Sequence, residues 1–382
     1  MTLAPPPAAR VGDPLTSVGT PSLLIDLDAF DANLTAMAAF AARHGVALRP
    51  HAKAHKSSEI AKRQIAAGAA GVCCQKLSEA YPFAAAGIAS IHVSNEFVGA
   101  DKIAMAVELA SHTRLSVCVD ALTQVRALGE AAARASVTLD VLPEIDAGQH
   151  RCGVTSVDAL FALVDEIAAH DALKFTGIQA YHGGIQHVAD WDARKTAAAH
   201  AAEITAHYVQ ALDTRGVRCA IVTGGGTGTV EFDAASGVYN ELQPGSYLFM
   251  DGDYGGLGWD GELRWRHSLF VLSTVMSATR PGMAVCDVGL KGLAVDSGLP
   301  RSAIWIDAGT EAELSYVAAN DEHGMLRAQS KPQEDVAALV GKRLLLPPGH
   351  CDPTVNLYDE YVCYRGERVA DIWPIDARGM SR

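Results

Sequence analysis

Apolar and polar positions along this chain fall into two textures. From about residue 45 to 250, short apolar runs alternate with longer Ala-rich amphipathic segments. The runs are Val46–Arg49, Gly71–Cys74, Ser90–Val93, Leu115–Val119, Leu139–Ile145, Phe175–Ala180, Cys219–Thr223 and Leu242–Met250, eight in all. Between them, stretches such as Ser57–Ala67, Ser78–Ala86, Leu122–Ala135, Ser156–Ala169 and Trp191–Thr214 read as helices. Continuous apolar strands alternating with helices predict a parallel sheet covered on both faces. Eight such units predict closure as a TIM (β/α)8 barrel; an open doubly wound sheet is the alternative.

After about residue 265 helical periodicity nearly vanishes. Short runs replace it at Leu269–Val275, Met283–Asp287, Arg343–Leu346, Tyr361–Arg365 and Arg368–Trp373, punctuated by Gly and Pro. This texture predicts a C-terminal all-β domain. The expected organisation is a loose leader over 1–19, a barrel over 20–265 and the β domain over 266–382. The early run Ser22–Leu27 is also able to join the β domain.

Size and charge narrow the class. At 382 residues the chain exceeds one ordinary core, which agrees with two domains. A formal charge of −13 argues against nucleic-acid or anionic-membrane partners, which need clustered Lys and Arg. No run approaches the ~20 apolar residues of a membrane helix. The Pro- and Ala-rich leader lacks a secretory apolar core, so a cytoplasmic protein is expected. Eight cysteines without a CxxC pair read as reduced, mostly buried thiols rather than a disulfide framework.

In such a barrel the chemistry sits at the C-terminal strand ends, so polar residues just after each run are the candidates. After the first run stand Arg49, His51, Lys53 and Lys56. A lysine in a barrel mouth, partly desolvated and near other cations, becomes a nucleophile for Schiff bases. The bland alternative is a basic surface loop. After the fifth run comes Arg151, able to hold an anionic oxygen or to form a plain salt bridge. After the sixth come Tyr181, His182 and His187, a cluster in which a histidine can act as a base near neutral pH. Asn95 and Glu96, after the third run, read as helix caps. After the seventh run, Gly224–Gly228 with Thr227 and Thr229 can converge backbone N–H groups on one anion, where barrel phosphate sites commonly lie. A Schiff-base lysine facing a phosphate cradle describes a pyridoxal phosphate site.

A second constellation stands far downstream, at His350-Cys351-Asp352-Pro353. Proline disfavours helical backbone at the preceding residue, so Asp352 is expected to be extended. His350 and Asp352 would then share a face with Cys351 turned away, offering one imidazole and one carboxylate to a divalent cation. A turn with a capping Asp and a solvated His is the alternative.

Five motifs in order carry a resemblance: Arg49-Pro50-His51-Ala52-Lys53, Gly71–Lys76, Gln179–Gly183, Gly224–Gly228 and His350–Thr354. From about Thr20 to the C-terminus the chain resembles D-threonine aldolases, alanine-racemase-like (fold type III) pyridoxal phosphate enzymes. The resemblance implies a barrel with a C-terminal β domain and a head-to-tail homodimer. It implies that Lys53 forms the Schiff base, Gly225, Gly226, Thr227 and Gly228 hold the phosphate, and Arg151 sits near the phenolic oxygen. Tyr181 would face the ring-nitrogen side, and His187 would lie near the substrate hydroxyl. His350 and Asp352 would bind Mn²⁺ or Mg²⁺, since one ligand is a hard carboxylate and neither is a thiolate. Related D-serine dehydratases place a cysteine where Asp352 stands, so this chain fits the aldolase pattern. The implied reaction is retro-aldol cleavage of D-β-hydroxy-α-amino acids to glycine and an aldehyde. Hydroxyaspartate cleavage, dehydration, racemisation and non-catalytic cofactor binding are the alternatives. The Asp321-Glu322-His323 cluster is a further candidate at the substrate end.

Overall fold

Strands that are apolar throughout assemble as their pattern predicts. The computed structural model describes residues 6–329 and 335–382. Residues 1–5 of the expected leader and 330–334 of the expected β domain lie outside them. The strands in chain order are β1 (Ser22–Asp26), β2 (Ala47–Leu48), β3 (Val72–Cys74), β4 (Ser90–Val93), β5 (Arg114–Val119) and β6 (Leu139–Ile145). They continue as β7 (Leu173–Phe175), β8 (Gly177–Ala180), β9 (Ile221–Gly224), β10 (Glu241–Leu242), β11 (Leu269–Arg280) and β12 (Met283–Cys286). The last six are β13 (Ile304–Trp305), β14 (Leu314–Ala319), β15 (Gly324–Ala328), β16 (Arg343–Leu346), β17 (Glu360–Arg365) and β18 (Arg368–Pro374). The helices are α1 (Leu27–His44), α2 (Ser58–Ala66), α3 (Leu77–Ala85), α4 (Ala100–Ala110), α5 (Leu122–Ala135), α6 (Val157–Ala168), α7 (Trp191–Thr214), α8 (Val230–Ala235) and α9 (Cys351–Val355).

Eight parallel strands curl in the order β2-β10-β9-β8-β6-β5-β4-β3. The two ends meet: His51 bridges Cys73 in parallel, and the Cys73 N–H donates to Pro50 O at 2.9 Å. Every residue of β6 is buried, as a strand covered on both faces requires. The starts of α6 and α7 are capped by side-chain acceptors. Ser156 accepts from Ala159 N–H, and Asp190 from Ala193 N–H at 2.8 Å. Of the last expected run, Leu242–Met250, only Leu242 lies in a strand, Glu241–Leu242, and the chain then turns away. Buried inside the barrel, Arg49 donates to Glu241 at 2.9 Å. Burial alone raises the Glu241 carboxyl, but the Arg49 guanidinium outweighs it and leaves the pKa lowered.

The second unit is a sheet in the order β14-β15-β12-β11-β1-β17-β18, with β16 pairing with β11 and β13. β1 runs antiparallel to β11 and parallel to β17, so the early run Ser22–Leu27 belongs here. The expected loose leader is a correction over its described part. Ala9, Leu15 and Val18 pack with Leu24, Phe270, Val362 and Val369, and Gly12 N–H donates to Val369 O at 2.8 Å. Apolar burial and backbone pairing hold this segment, despite its prolines. Neither unit is contiguous. The barrel unit takes Thr35–Gly245, Leu257–Arg264 and Gly379–Arg382; the other takes the chain up to Leu34, Ser246–Gly256 and Trp265–Arg378.

All eight cysteines are free thiols, six of them buried. Among the described residues, no helix is long and apolar enough to cross a membrane.

Candidate functional site

Lys53 leaves the barrel wall in a tight 3-10 turn, Ala52–Ala54, rather than in extended chain. Its backbone N–H donates to His51 Nδ1 at 3.4 Å, so the His51 proton belongs on Nε2. That Nε2 lies 3.1 Å from Ser94 Oγ and 3.2 Å from Gln75 Oε1. Ser94 in turn lies 3.1 Å from the Cys73 thiol, which burial pushes up to about 12. Lys56 has positive φ and makes a buried ion pair with Glu79 at 2.7 Å.

One cavity of about 350 Å³ gathers Lys53, Arg151, Tyr181 and His187, together with His51, Ser94 and four glutamines: Gln75, Gln149, Gln179 and Gln243. The glutamines were not singled out from the sequence. Their signal is an amide interrupting or ending an apolar strand, as Gln179 does in β8. Gln243 Nε2 donates to both Gln179 Oε1 and Thr223 Oγ1 at 2.8 Å. Gln179 also meets buried His92 at 3.3 Å, and burial lowers that imidazole to about 4. A larger groove of about 680 Å³ lies between α4 and α5, but its lining is mostly Ala, Val and Ile. The converging polar groups mark the smaller cavity as the chemical one.

Arg151 stands 5.4 Å over the Tyr181 ring and 3.8 Å from Glu144. Burial, then the neighbouring Glu96, pushes the Glu144 carboxyl up to about 9, against the lowering effect of Arg151. At 3.8 Å the ion pair is loose, so much of the Arg151 charge stays available for an anion. Asn95 and Glu96 do not cap α4. Gly99 occupies that position at φ +104°. His182, unlike His187, does not line the cavity, and burial lowers its pKa.

Gly225, Gly226, Thr227 and Gly228 do not form the wall of this cavity. They lie against Gln186, the residue before His187, whose Oε1 accepts the Gly228 N–H at 3.0 Å. Gly225 has φ +69°, and a Cβ there would stand 2.4 Å from Asp233. Asp233 is raised to about 7 by burial, although the Thr229 hydroxyl and the Gly226 N–H donate to it. That upward shift lessens the negative charge beneath the loop.

In the second unit, Asp352 is a correction. It lies in the first turn of α9 rather than in extended chain, and His350 is the extended N-cap at φ −143° and ψ 125°. Pro353 is tolerated because first-turn N–H groups have no intrahelical acceptor to lose. Strand alternation therefore does not bring His350 and Asp352 to one face; His350 caps the helix that Asp352 opens. Asp296, which carried no sequence signal, lies 2.7 Å from His350 Nδ1. A carboxylate on one ring nitrogen fixes the tautomer and leaves Nε2 as the nitrogen able to act as a ligand. Thr354 donates to His350 O at 2.8 Å, and Asp251 accepts the Cys351 N–H at 2.9 Å. Cys351 is fully buried and its thiol is pushed well up by that burial, so it is not a ready ligand. Among the described residues, no close three-ligand cluster includes His350 and Asp352. The donor set fits a hard divalent ion that keeps water in its shell. The Asp321-Glu322-His323 cluster is exposed on the turn between β14 and β15, with Glu322 paired to Lys291 at 2.5 Å.

Comparison with known proteins adds a frame. The family described as alanine racemase, N-terminal domain, matches residues 25–253, and a putative serine dehydratase domain matches 268–364. A D-threonine aldolase from Arthrobacter sp is 51% identical over 380 residues, covering 100% of this chain and 98% of that one. A 3-hydroxy-D-aspartate aldolase from Paracoccus denitrificans (strain Pd 1222) is 40% identical, covering 96% and 94%. The crystal structure of D-threonine aldolase from Filomicrobium marinum superposes with a TM-score of 0.92 at 45% identity, covering 98% of this chain and 100% of that one.

Proposed function

Because the chain belongs to the alanine-racemase-like family that includes the D-threonine aldolases, we propose that it splits D-β-hydroxy-α-amino acids between Cα and Cβ. The products are glycine and an aldehyde, and the enzyme is a lyase. One observation carries the reading: Lys53 and His187 converge with Arg151 and Tyr181 on a single polar cavity.

Lys53 would hold pyridoxal phosphate, which would supply an electron sink, and His350 and Asp352 would hold a divalent ion, which would supply a Lewis acid. Arg151 and Tyr181 would hold the ring of the cofactor, and Gly225, Gly226, Thr227 and Gly228 its phosphate. The chain's own residues do the rest. Lys53 is steadied by the His51 imidazole under its backbone N–H. Arg151 binds an anionic oxygen, being only loosely paired with Glu144 at 3.8 Å. His187 takes the proton of the β-hydroxyl as the bond breaks. The glutamines orient polar groups without adding charge. Among the described residues, Lys53 and Arg151 are the only Lys or Arg lining the cavity, so a second carboxylate at Cβ finds no cation of its own there. This favours a D-threonine-type side chain over hydroxyaspartate. A homodimer belongs to the same reading, and analytical ultracentrifugation tests it.

The functional test is purified protein with pyridoxal phosphate, Mn²⁺ and D-threonine, assayed for acetaldehyde and glycine beside a chelated control. Metal-dependent acetaldehyde is the expected result. Ammonia with a keto acid would sink the aldolase reading in favour of dehydration.

A further inference from the structure

The turn that presents His187 and the glycine loop are held by the same two side chains. Gln186 accepts the Gly228 N–H through Oε1 at 3.0 Å and donates from Nε2 to Thr229 Oγ1 at 2.8 Å. The fit is close. A Cβ at Gly226 would stand 2.6 Å from Gln186 Oε1, and one at Gly228 would stand 2.3 Å from the Gln186 carbonyl. Arg194, in the first turn of α7, grips the same two segments. Its Nε donates to Gly228 O at 2.9 Å, and its Nη atoms donate to Val188 O, to Ala189 O at 3.3 Å and to Gly258 O at 2.5 Å. The guanidinium is fully buried, 5.3 Å from the rings of both Trp191 and Trp259. His187 is thus flanked by Gln186, bonded to the glycine loop directly, and by Val188, tied to it through Arg194. In buried surroundings such bonds resist opening, because a stranded donor or acceptor is costly.

We propose that Gln186 and Arg194 are positioning residues that join the glycine loop and the His187 turn into one body, so that a phosphate monoester seated on the loop orders His187. The inference rests on the function proposed above, in which the loop holds phosphate and His187 moves the proton. Ordering one segment lowers the entropy cost of ordering the other, and the effect is reciprocal.

Hydrogen exchange with and without pyridoxal phosphate reads both segments without any turnover. In the native protein the cofactor should slow exchange together in peptides spanning 184–190 and 225–230. In Gln186→Met it should slow only the second, with cofactor binding about tenfold weaker for the two lost hydrogen bonds. At saturating cofactor that variant should lose kcat while KM for D-threonine holds. Thr229→Val removes the hydroxyl that Gln186 engages and should give the same split, while Thr229→Ser restores joint protection; this pair decides the matter if Gln186→Met does not fold. Protection of 225–230 alone in the native protein, or joint protection unchanged in the variants, overturns the proposal. Protection of neither peptide, despite a bound-cofactor absorbance, shows that the loop is not the phosphate site and overturns it by removing its premise. Joint protection lost in the variants, without aldol cleavage by the native protein, upholds the coupling and sinks only the proposed activity.

Discussion

The barrel cavity and the start of α9 hold their chemistry in opposite ways. In the cavity, the groups around Lys53 are bonded and neutral, from the buried His51–Ser94 contact to the buried Gln243–Gln179 pair, while Lys53 itself is half-buried and His187 is exposed. At α9, His350 and Asp352 are only partly buried, and the carboxylate that steadies the imidazole, Asp296, is exposed. The cavity groups are held by bonds within the chain. The α9 pair instead carries its charge at a half-exposed helix start. Preorganised amides give position without charge, whereas a hard cation site depends on charge that water screens until the ion arrives.

Substitutions can break that contrast from either side. Lys53→Ala has the largest expected effect: loss of turnover and of the Schiff-base absorbance, with metal content unchanged by elemental analysis. Asp352→Ala should lower kcat by roughly 10³-fold, several kcal/mol of Lewis-acid stabilisation, while the Schiff-base absorbance stays. Full activity in that variant would refute the metal assignment. The preorganised cavity has a cost in acid. Folded His92 titrates near 4 and an unfolded histidine near 6.5. Between those values the unfolded chain binds the extra proton, so stability should fall as pH drops from about 6.5 to 4, by roughly 3 kcal/mol. Urea titrations across that range, compared with His92→Gln, isolate the effect; equal slopes for both proteins would discard it. His187→Asn should lower kcat by roughly 10²-fold and remove one limb of the pH–rate profile. The smallest effect sharpens the α9 side: Asp296→Asn should weaken Mn²⁺ binding about tenfold by calorimetry and leave cofactor affinity alone.

Legibility followed the reach of each physical cause. The β6 run and helices α5 and α7 were plain because their own residues bury them. Lys53, Arg151, Tyr181 and His187 were findable because each follows an apolar run, and the cavity does bring them together. Gly225 to Gly228 were found by their glycines, yet their place behind Gln186 depends on a side chain some 40 positions away, which no local pattern shows. Asp352 went astray because a general preference before proline yielded to a helix start, where the missing N–H is harmless. The leader misled because the partners of Leu15 and Val18, such as Phe270 and Val369, lie far along the chain. Asp296 sits between strands with no periodicity around it. β13, β14 and β15 also escaped notice, being short or only half-buried.

The pairing of β1 with β11 and β17 sets a schedule for synthesis. Residues 22–26 leave the ribosome long before Leu269 and Val362 exist to receive them. At ordinary elongation rates that interval is roughly 10 to 50 s. During it, the strand Ser22–Asp26, four of whose five residues end up buried, has no sheet to join, while all the barrel strands emerge behind it. The nascent chain therefore carries an unpaired apolar edge at its front end, a demand on chaperones that the finished molecule no longer displays.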